Sequence, residues 1–312
     1  MGWIALIVPV VLAALALAVG NYYYNLSLNP HRDKSEVFSA EHNRVKAQEA
    51  ALGEDAFEAW FENAPRREMI IRSYDHLNLC AYVMEHEDTS GNWCVLCHGY
   101  TAGASSMAWA AMEFHKRGYN LLLPYFRGHG KSQGRYIGMG WHDRLDIVEW
   151  IGEINARYRP KNVALFGVSM GGAAVMMASG EKLPDNVRVI VEDCGYSSVR
   201  QEFIYQAKMF LKKIPAAPVV ACGSLVTQLR AGYWLGEASS VRQLKKSVTP
   251  TLFIHGSRDT FVPPHMLDEV YEACAAPKKK LLVEGAGHAG SAAALGDAYW
   301  RQVFDFISAY MQ

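Results

Sequence analysis

Eight short apolar runs recur from Arg67 onward: EMIIRSY, LNLCAYVME, WCVLCH, YNLLLP, NVALFG, VRVIVED, PTLFIH and KKLLVE. The first two flank a tight turn near Asp75 and His76 and read as an antiparallel hairpin. From the third onward, helix-length segments separate the runs, the pattern of a mostly parallel sheet covered on both faces. The expected fold class is therefore α/β, with an eight-stranded, mostly parallel open sheet. In such sheets functional groups collect at the carboxyl ends of strands. The 312 residues are half apolar, ample for one such core plus an appendage.

One insertion breaks the rhythm. Between VIVED and PTLFIH lies far more chain than a single helix needs. RQEFIYQAKMFLKKI aligns Phe203, Ile204, Ala207, Phe210, Leu211 and Ile214 on one helical face; IPAAPVVACG is expected to break that helix before SLVTQLRAGYWL. The insertion, about residues 197–249, reads as a helical cap over the site. It carries eight basic residues against Glu202 and Glu237, a net charge of +6.

The fifth run ends in FGVSMGG. Gly167-Val168-Ser169-Met170-Gly171 fits G-x-S-x-G, and AAVMMAS follows as a helix. A strand turning sharply into a helix strains its pivot residue, and the positions two away on each side must lack side chains to avoid collision. Gly167 and Gly171 meet that need. Ser169 is thereby presented at the sheet top beside a helix amino terminus that favours an anion.

A serine hydroxyl needs a base within hydrogen-bond reach. His288, in the glycine-rich loop VEGAGHAG after the last strand, suits that role, whereas His98 and His255 read as turn-shaping residues and His129 and His142 as loop residues bordering the pocket. The carboxylate holding the base is Asp259 of GSRDTFVP, giving the order Ser…Asp…His, with Asp193 of VEDCGYSS as the rival. The oxyanion hole is assigned to the backbone N–H groups of Met170 and of Tyr100 in CHGYTAG. Asp143 and Asp146 of HDRLD read as loop-holding groups acting through Arg127 or Arg144.

Together these residues resemble the α/β-hydrolase superfamily over about Arg67 to the carboxyl end. LLLPYFRGHGKSQG looks like that family's loop after the fourth strand, though without its Asp. YIGMGWHDRLDIVEWI and EDCGYSSV resemble a narrower bacterial branch, the membrane-anchored or secreted hydrolases akin to serine aminopeptidases and monoacylglycerol lipases. The resemblance implies an acyl-enzyme cycle on Ser169 needing neither metal nor organic cofactor. A carboxylic-ester hydrolase for a small or medium acyl substrate, lipid-like or anionic, is the leading expectation. An aminopeptidase would need an acid to grip the substrate amine, and only Glu202 and Glu237 in the cap offer one. A non-catalytic binding protein of the same fold is the alternative from another class, but no triad member is missing.

The amino terminus is of another kind. GWIALIVPVVLAALALAVG, residues 2–20, has no charged side chain and approaches the ~20 apolar residues that cross a bilayer. Tyr22, Tyr23 and Tyr24 would lie at the interface. Ala16 and Ala18 fit a cleavage pattern, yet no Lys or Arg precedes the run, so an uncleaved single-span anchor over 1–20 is expected in place of a signal peptide. Residues 21–66 then form a linker, polar over 21–34, and a helical pre-domain over Ser35–Pro65; the hydrolase domain occupies 67–312. Arg32, Lys34 and six scattered cysteines favour a cytoplasmic body over an exported one. Equal numbers of acidic and basic residues argue against a nucleic-acid partner.

Overall fold

A computed structural model of the chain describes residues 2–34, 54–87 and 91–311. Eight strands form one sheet in the order β1-β2-β4-β3-β5-β6-β7-β8: β1 (Arg67–Arg72), β2 (Asn78–Met84), β3 (Asn92–Cys97), β4 (Asn120–Pro124), β5 (Asn162–Val168), β6 (Val187–Asp193), β7 (Thr251–Gly256) and β8 (Lys278–Val283). Each lies on one of the eight apolar runs. β1 and β2 form the expected hairpin, with His76 in the left-handed region at its turn. β2 also runs antiparallel to β4, and every pairing from β4 to β8 is parallel. All seven residues of β5 are buried, as a central strand with helices on both faces requires.

The helices are α1 (Gly2–Leu28), α2 (Glu54–Asn63), α3 (Ala108–His115), α4 (Asp143–Tyr158), α5 (Met170–Ala178), α6 (Val199–Leu211), α7 (Ala216–Ala231), α8 (Ser240–Leu244), α9 (His265–Ala273), α10 (Ser291–Leu295) and α11 (Asp297–Ser308). One core cluster, containing Trp150, Met176 and Val220, lies on one side of the sheet. The other, containing Phe114, Phe166 and Trp300, lies on the opposite side. Of the expected pre-domain, residues 35–53 lie outside the described residues. Its second half is α2, whose Phe61 packs edge-on against Tyr82 of β2.

The cap consists of α6, α7 and α8. Ser198 and Ser239 cap α6 and α8, accepting the N–H groups of Gln201 and Arg242 at 3.3 Å. The expected break over IPAAPVVACG is confined to residues 212–215, because α7 already starts at Ala216. Pro218 does not prevent this. It falls in the first helical turn, where a missing N–H breaks no ladder bond.

The polar linker expected after residue 20 is instead helical as far as Leu28. Helix α1 continues because its second half docks on α7. A Cβ at Gly20 would lie 2.2 Å from the carbonyl oxygen of Cys222, and one at Gly223 would lie 2.6 Å from the Tyr23 ring. The two backbones therefore approach more closely than side chains permit. Tyr23 donates its hydroxyl to the Phe203 carbonyl at 3.1 Å, and the Leu28 carbonyl accepts the Ile137 N–H at 2.8 Å. The first half differs: Val10, Leu12 and Leu15 remain more than half exposed.

Candidate active site

Ser169 lies between β5 and α5 with φ 57° and ψ −118°, outside the favoured regions for an L-residue. The flanking glycines are steric necessities. A Cβ at Gly167 would sit 2.3 Å from the Gly171 carbonyl oxygen, and one at Gly171 would sit 2.0 Å from that of Cys97. The pivot is also tied to the next strand, with the Ser169 N–H donating to the Asp193 carbonyl at 2.8 Å.

The structure brings the three expected side chains together. His288 Nε2 is 2.9 Å from Ser169 Oγ, and its Nδ1 is 2.8 Å from Asp259 Oδ2. Asp259 is an acceptor throughout: its Oδ1 takes the N–H groups of Phe261 at 2.8 Å and Val262 at 2.9 Å. A carboxylate in that position fixes the proton on Nδ1, which leaves Nε2 to accept from the serine. Burial alone would raise the Asp259 pKa, but the imidazoles of His288 and His255 outweigh it and hold the carboxyl well below its usual range.

Asp193, the rival acid, points elsewhere. It accepts from Ser291 Oγ at 3.1 Å and from the Tyr299 hydroxyl at 2.9 Å, and burial raises its pKa. Its bond to the pivot comes from its backbone. Cys194 Sγ lies within 4.8 Å of ligand atoms on Asp259 and His288, a separation that could hold an ion. Burial keeps that thiol well above its ordinary pKa, and the other two atoms already share a hydrogen bond, so the cluster fits a triad better than a metal.

The loop after β3 lies directly against the pivot: a Cβ at Gly99 would be 3.7 Å from Ser169 Cβ. His98 braces it, with Nδ1 against the Gly99 carbonyl at 2.8 Å and Nε2 accepting the Phe126 N–H at 3.1 Å. Burial, with His129 nearby, pushes the His98 pKa down to about 3, so the ring is neutral and fit to accept. Tyr100 follows, its hydroxyl donating to the Ser27 carbonyl of α1 at 2.5 Å.

The carboxylates of HDRLD divide their roles. Asp146 forks onto buried Arg127 at 2.6 and 2.8 Å, with Asp75 on the far side of the guanidinium at 2.9 Å. Asp143 instead accepts the Gly140 N–H at 2.8 Å, and Arg144 pairs with Glu181. The expectation of an arginine partner therefore holds for Asp146 alone. Gly138 explains the difference, because a Cβ there would lie 2.3 Å from the Asp143 carboxylate, which is wedged into this turn.

A cavity of about 500 Å³ opens above Ser169. Its cap wall comes from α6, including Phe203, Ala207, Phe210 and Leu211, so the expected apolar face turns towards the cavity. Glu202 lies there too, buried, with Oε1 accepting from Gln206 at 2.9 Å and Oε2 without a hydrogen-bond partner among the described residues. Burial pushes its pKa up to about 8. Glu237 is exposed and accepts the Trp234 N–H at 2.7 Å.

Two contributions escaped the sequence reading. His255, next to the end of β7, has Nε2 2.9 Å from the Val262 carbonyl and 3.3 Å from Asp259 Oδ2. Its only sequence signal was its place four residues before the acid. The opposite wall of the cavity is helix α1, through Ala18, Val19, Tyr22 and Leu26. Apolar all round, that segment gave no periodicity from which a docking face could be read.

An elbow serine under a capped, mostly parallel sheet defines the class: the chain is a member of the α/β-hydrolase superfamily and a hydrolase. Residues 89–216 match the family profile described as serine aminopeptidase, S33. An uncharacterised Bacillus subtilis protein, YqkD, is 24% identical over 83% of this chain and 85% of its own. A thermostable monoacylglycerol lipase from a Bacillus species is 23% identical over 60% of this chain and 78% of its own. Among solved structures, an esterase from Pyrococcus furiosus superposes with a TM-score of 0.66 at 21% identity, covering 80% of this chain and 92% of the esterase.

Proposed function

We propose that the protein is a serine hydrolase that cleaves a carboxylic ester, or a related acyl bond, through an acyl-enzyme on Ser169. The observation that carries this reading is the continuous relay from Ser169 Oγ through His288 to Asp259, at 2.9 and 2.8 Å. Ser169 attacks the acyl carbonyl as its proton passes to His288 Nε2. The oxyanion is held by the N–H groups of Met170, at the start of α5, and of Tyr100. The imidazolium, steadied by Asp259, protonates the leaving alcohol and then draws a proton from water for deacylation. We further propose that α1 anchors the chain in a membrane: Ile7–Leu28 is long and apolar enough to cross one.

Two features favour a peptidase: the serine aminopeptidase profile and the acid, Glu202, in the cavity. The state of that acid favours the ester instead. With burial pushing its pKa up to about 8, Glu202 must give up a proton before it can pair with a substrate ammonium, a cost that an ester substrate does not carry. Labelling by a short, soluble fluorophosphonate tests the site. The native chain should react and Ser169→Ala should not, and equal labelling of both would remove this serine from the mechanism. Nitrophenyl esters of rising chain length, set against aminoacyl-nitroanilides, then separate the two bonds, with the esters expected to turn over faster.

A further inference from the structure

The cavity above Ser169 opens beside the point where α1 leaves the body of the protein. One side of that mouth is α1 itself, at Ala18, Val19 and Tyr22. The other is the carboxyl end of α6 and the turn after it, at Phe210, Leu211 and Ile214. Beyond the mouth α1 projects as a bare apolar rod, with Val10 67% and Leu12 60% exposed. Eighteen helical residues, Gly2 to Val19, rise ~27 Å at ~1.5 Å each, close to the hydrocarbon thickness of a bilayer. If that stretch fills the bilayer, Tyr22 and the mouth fall at its surface.

The cap rim is built for the same plane. Met209 and Ile214 are each 58% exposed and Phe210 is 50% exposed. Lys208, Lys212 and Lys213, all exposed, surround them. Large apolar side chains ringed by lysines on a soluble surface would be an unexplained cluster. At an anionic lipid surface the apolar groups enter the acyl region and the lysines meet the anionic headgroups.

We infer that the cavity is open to the lipid phase, that the anchor helix is one wall of the substrate site, and that the substrate is a long-chain acyl ester drawn laterally from an anionic leaflet. This rests on the serine-hydrolase reading of Ser169. The acyl chain would lie between Val19 and Leu26 of α1 and Phe203 and Phe210 of α6, with its carbonyl at the serine. Nothing need cross water on the way in. The anchor therefore does more than tether: it completes the pocket.

The test uses the full chain reconstituted in phosphatidylcholine vesicles, with and without phosphatidylglycerol, and two fluorophosphonates. One is short and soluble; the other carries a long acyl-like chain and resides in the bilayer. Both should label Ser169, the bilayer-borne probe at least about tenfold faster in anionic vesicles than in neutral ones. Charge reversal at Lys208→Glu, Lys212→Glu and Lys213→Glu, none of which lines the cavity, should cut labelling by the bilayer probe about tenfold and leave the short probe unaffected. Labelling by the short probe alone, or lysine reversal without effect on the bilayer probe, overturns the lateral route and leaves the hydrolase reading standing. If neither probe labels Ser169, the hydrolase reading falls first.

Discussion

Two acids beside the serine occupy opposite electrostatic situations. Asp259 has its charge satisfied by His288 and two backbone N–H groups, whereas Glu202 is buried with one oxygen unpaired among the described residues. Asp259→Asn should keep the fold but lower kcat by about 10⁴, since the amide presents the wrong partner to Nδ1; steady-state kinetics on a short nitrophenyl ester checks this. Because the folded pKa of Asp259 is depressed, its stabilisation is present above the unfolded value near 4 and disappears as the pH falls further. Glu202 has the opposite sign. Its folded pKa of about 8 lies above the unfolded one, so the folded state retains a proton that the unfolded state releases, and stability declines as the pH rises from about 4 to 8. Glu202→Gln should flatten that decline, gaining on the native chain by a few kcal/mol at most when denaturant midpoints at pH 5 and pH 8 are compared. How much of the site could be read in advance also differs by residue. Ser169, Asp259 and His288 were legible because an elbow and two loops after strands leave little freedom in where their tips can meet. The cluster around Asp143 was not, because which arginine an aspartate finds depends on how the loop after β4 seats against α4.

At the scale of elements, glycine contacts account for both the elbow and the docking of α1. Gly171→Ala would drive a Cβ into the Cys97 carbonyl, displacing α5 from β3. A loss of about 3 kcal/mol is expected in chemical denaturation, from overpacking of a tight backbone contact. Gly20→Leu acts on a different joint. It should separate α1 from α7, raising hydrogen exchange over residues 20–28, with Ser169 still reacting with the short soluble probe. The strands were readable from apolar runs because a sheet covered on both faces must be built from them. The continuation of α1 to Leu28 was hidden. Polar residues such as Asn21 and Asn25 read as linker, and only a partner helix close enough to touch at Gly20 and Gly223 gives them a helical role.

Across the whole molecule, one buried cation links parts distant in sequence. Arg127, fully buried, holds Asp75 from the β1–β2 turn and Asp146 from α4 while its own loop follows β4. Arg127→Met would leave Asp146 buried and unpaired, with an expected loss of about 3–5 kcal/mol seen as an earlier denaturant midpoint. The amino-terminal helix makes connections of similar reach, by hydrogen bonds from Tyr100 to Ser27 and from Ile137 to Leu28. Those two bonds bear on laboratory practice. Trimming the first 28 residues to obtain a water-soluble preparation would remove the acceptor of the Tyr100 hydroxyl and unroof half the cleft. The shortened enzyme would then report kinetics and inhibitor preferences of a gaping site rather than of the native one.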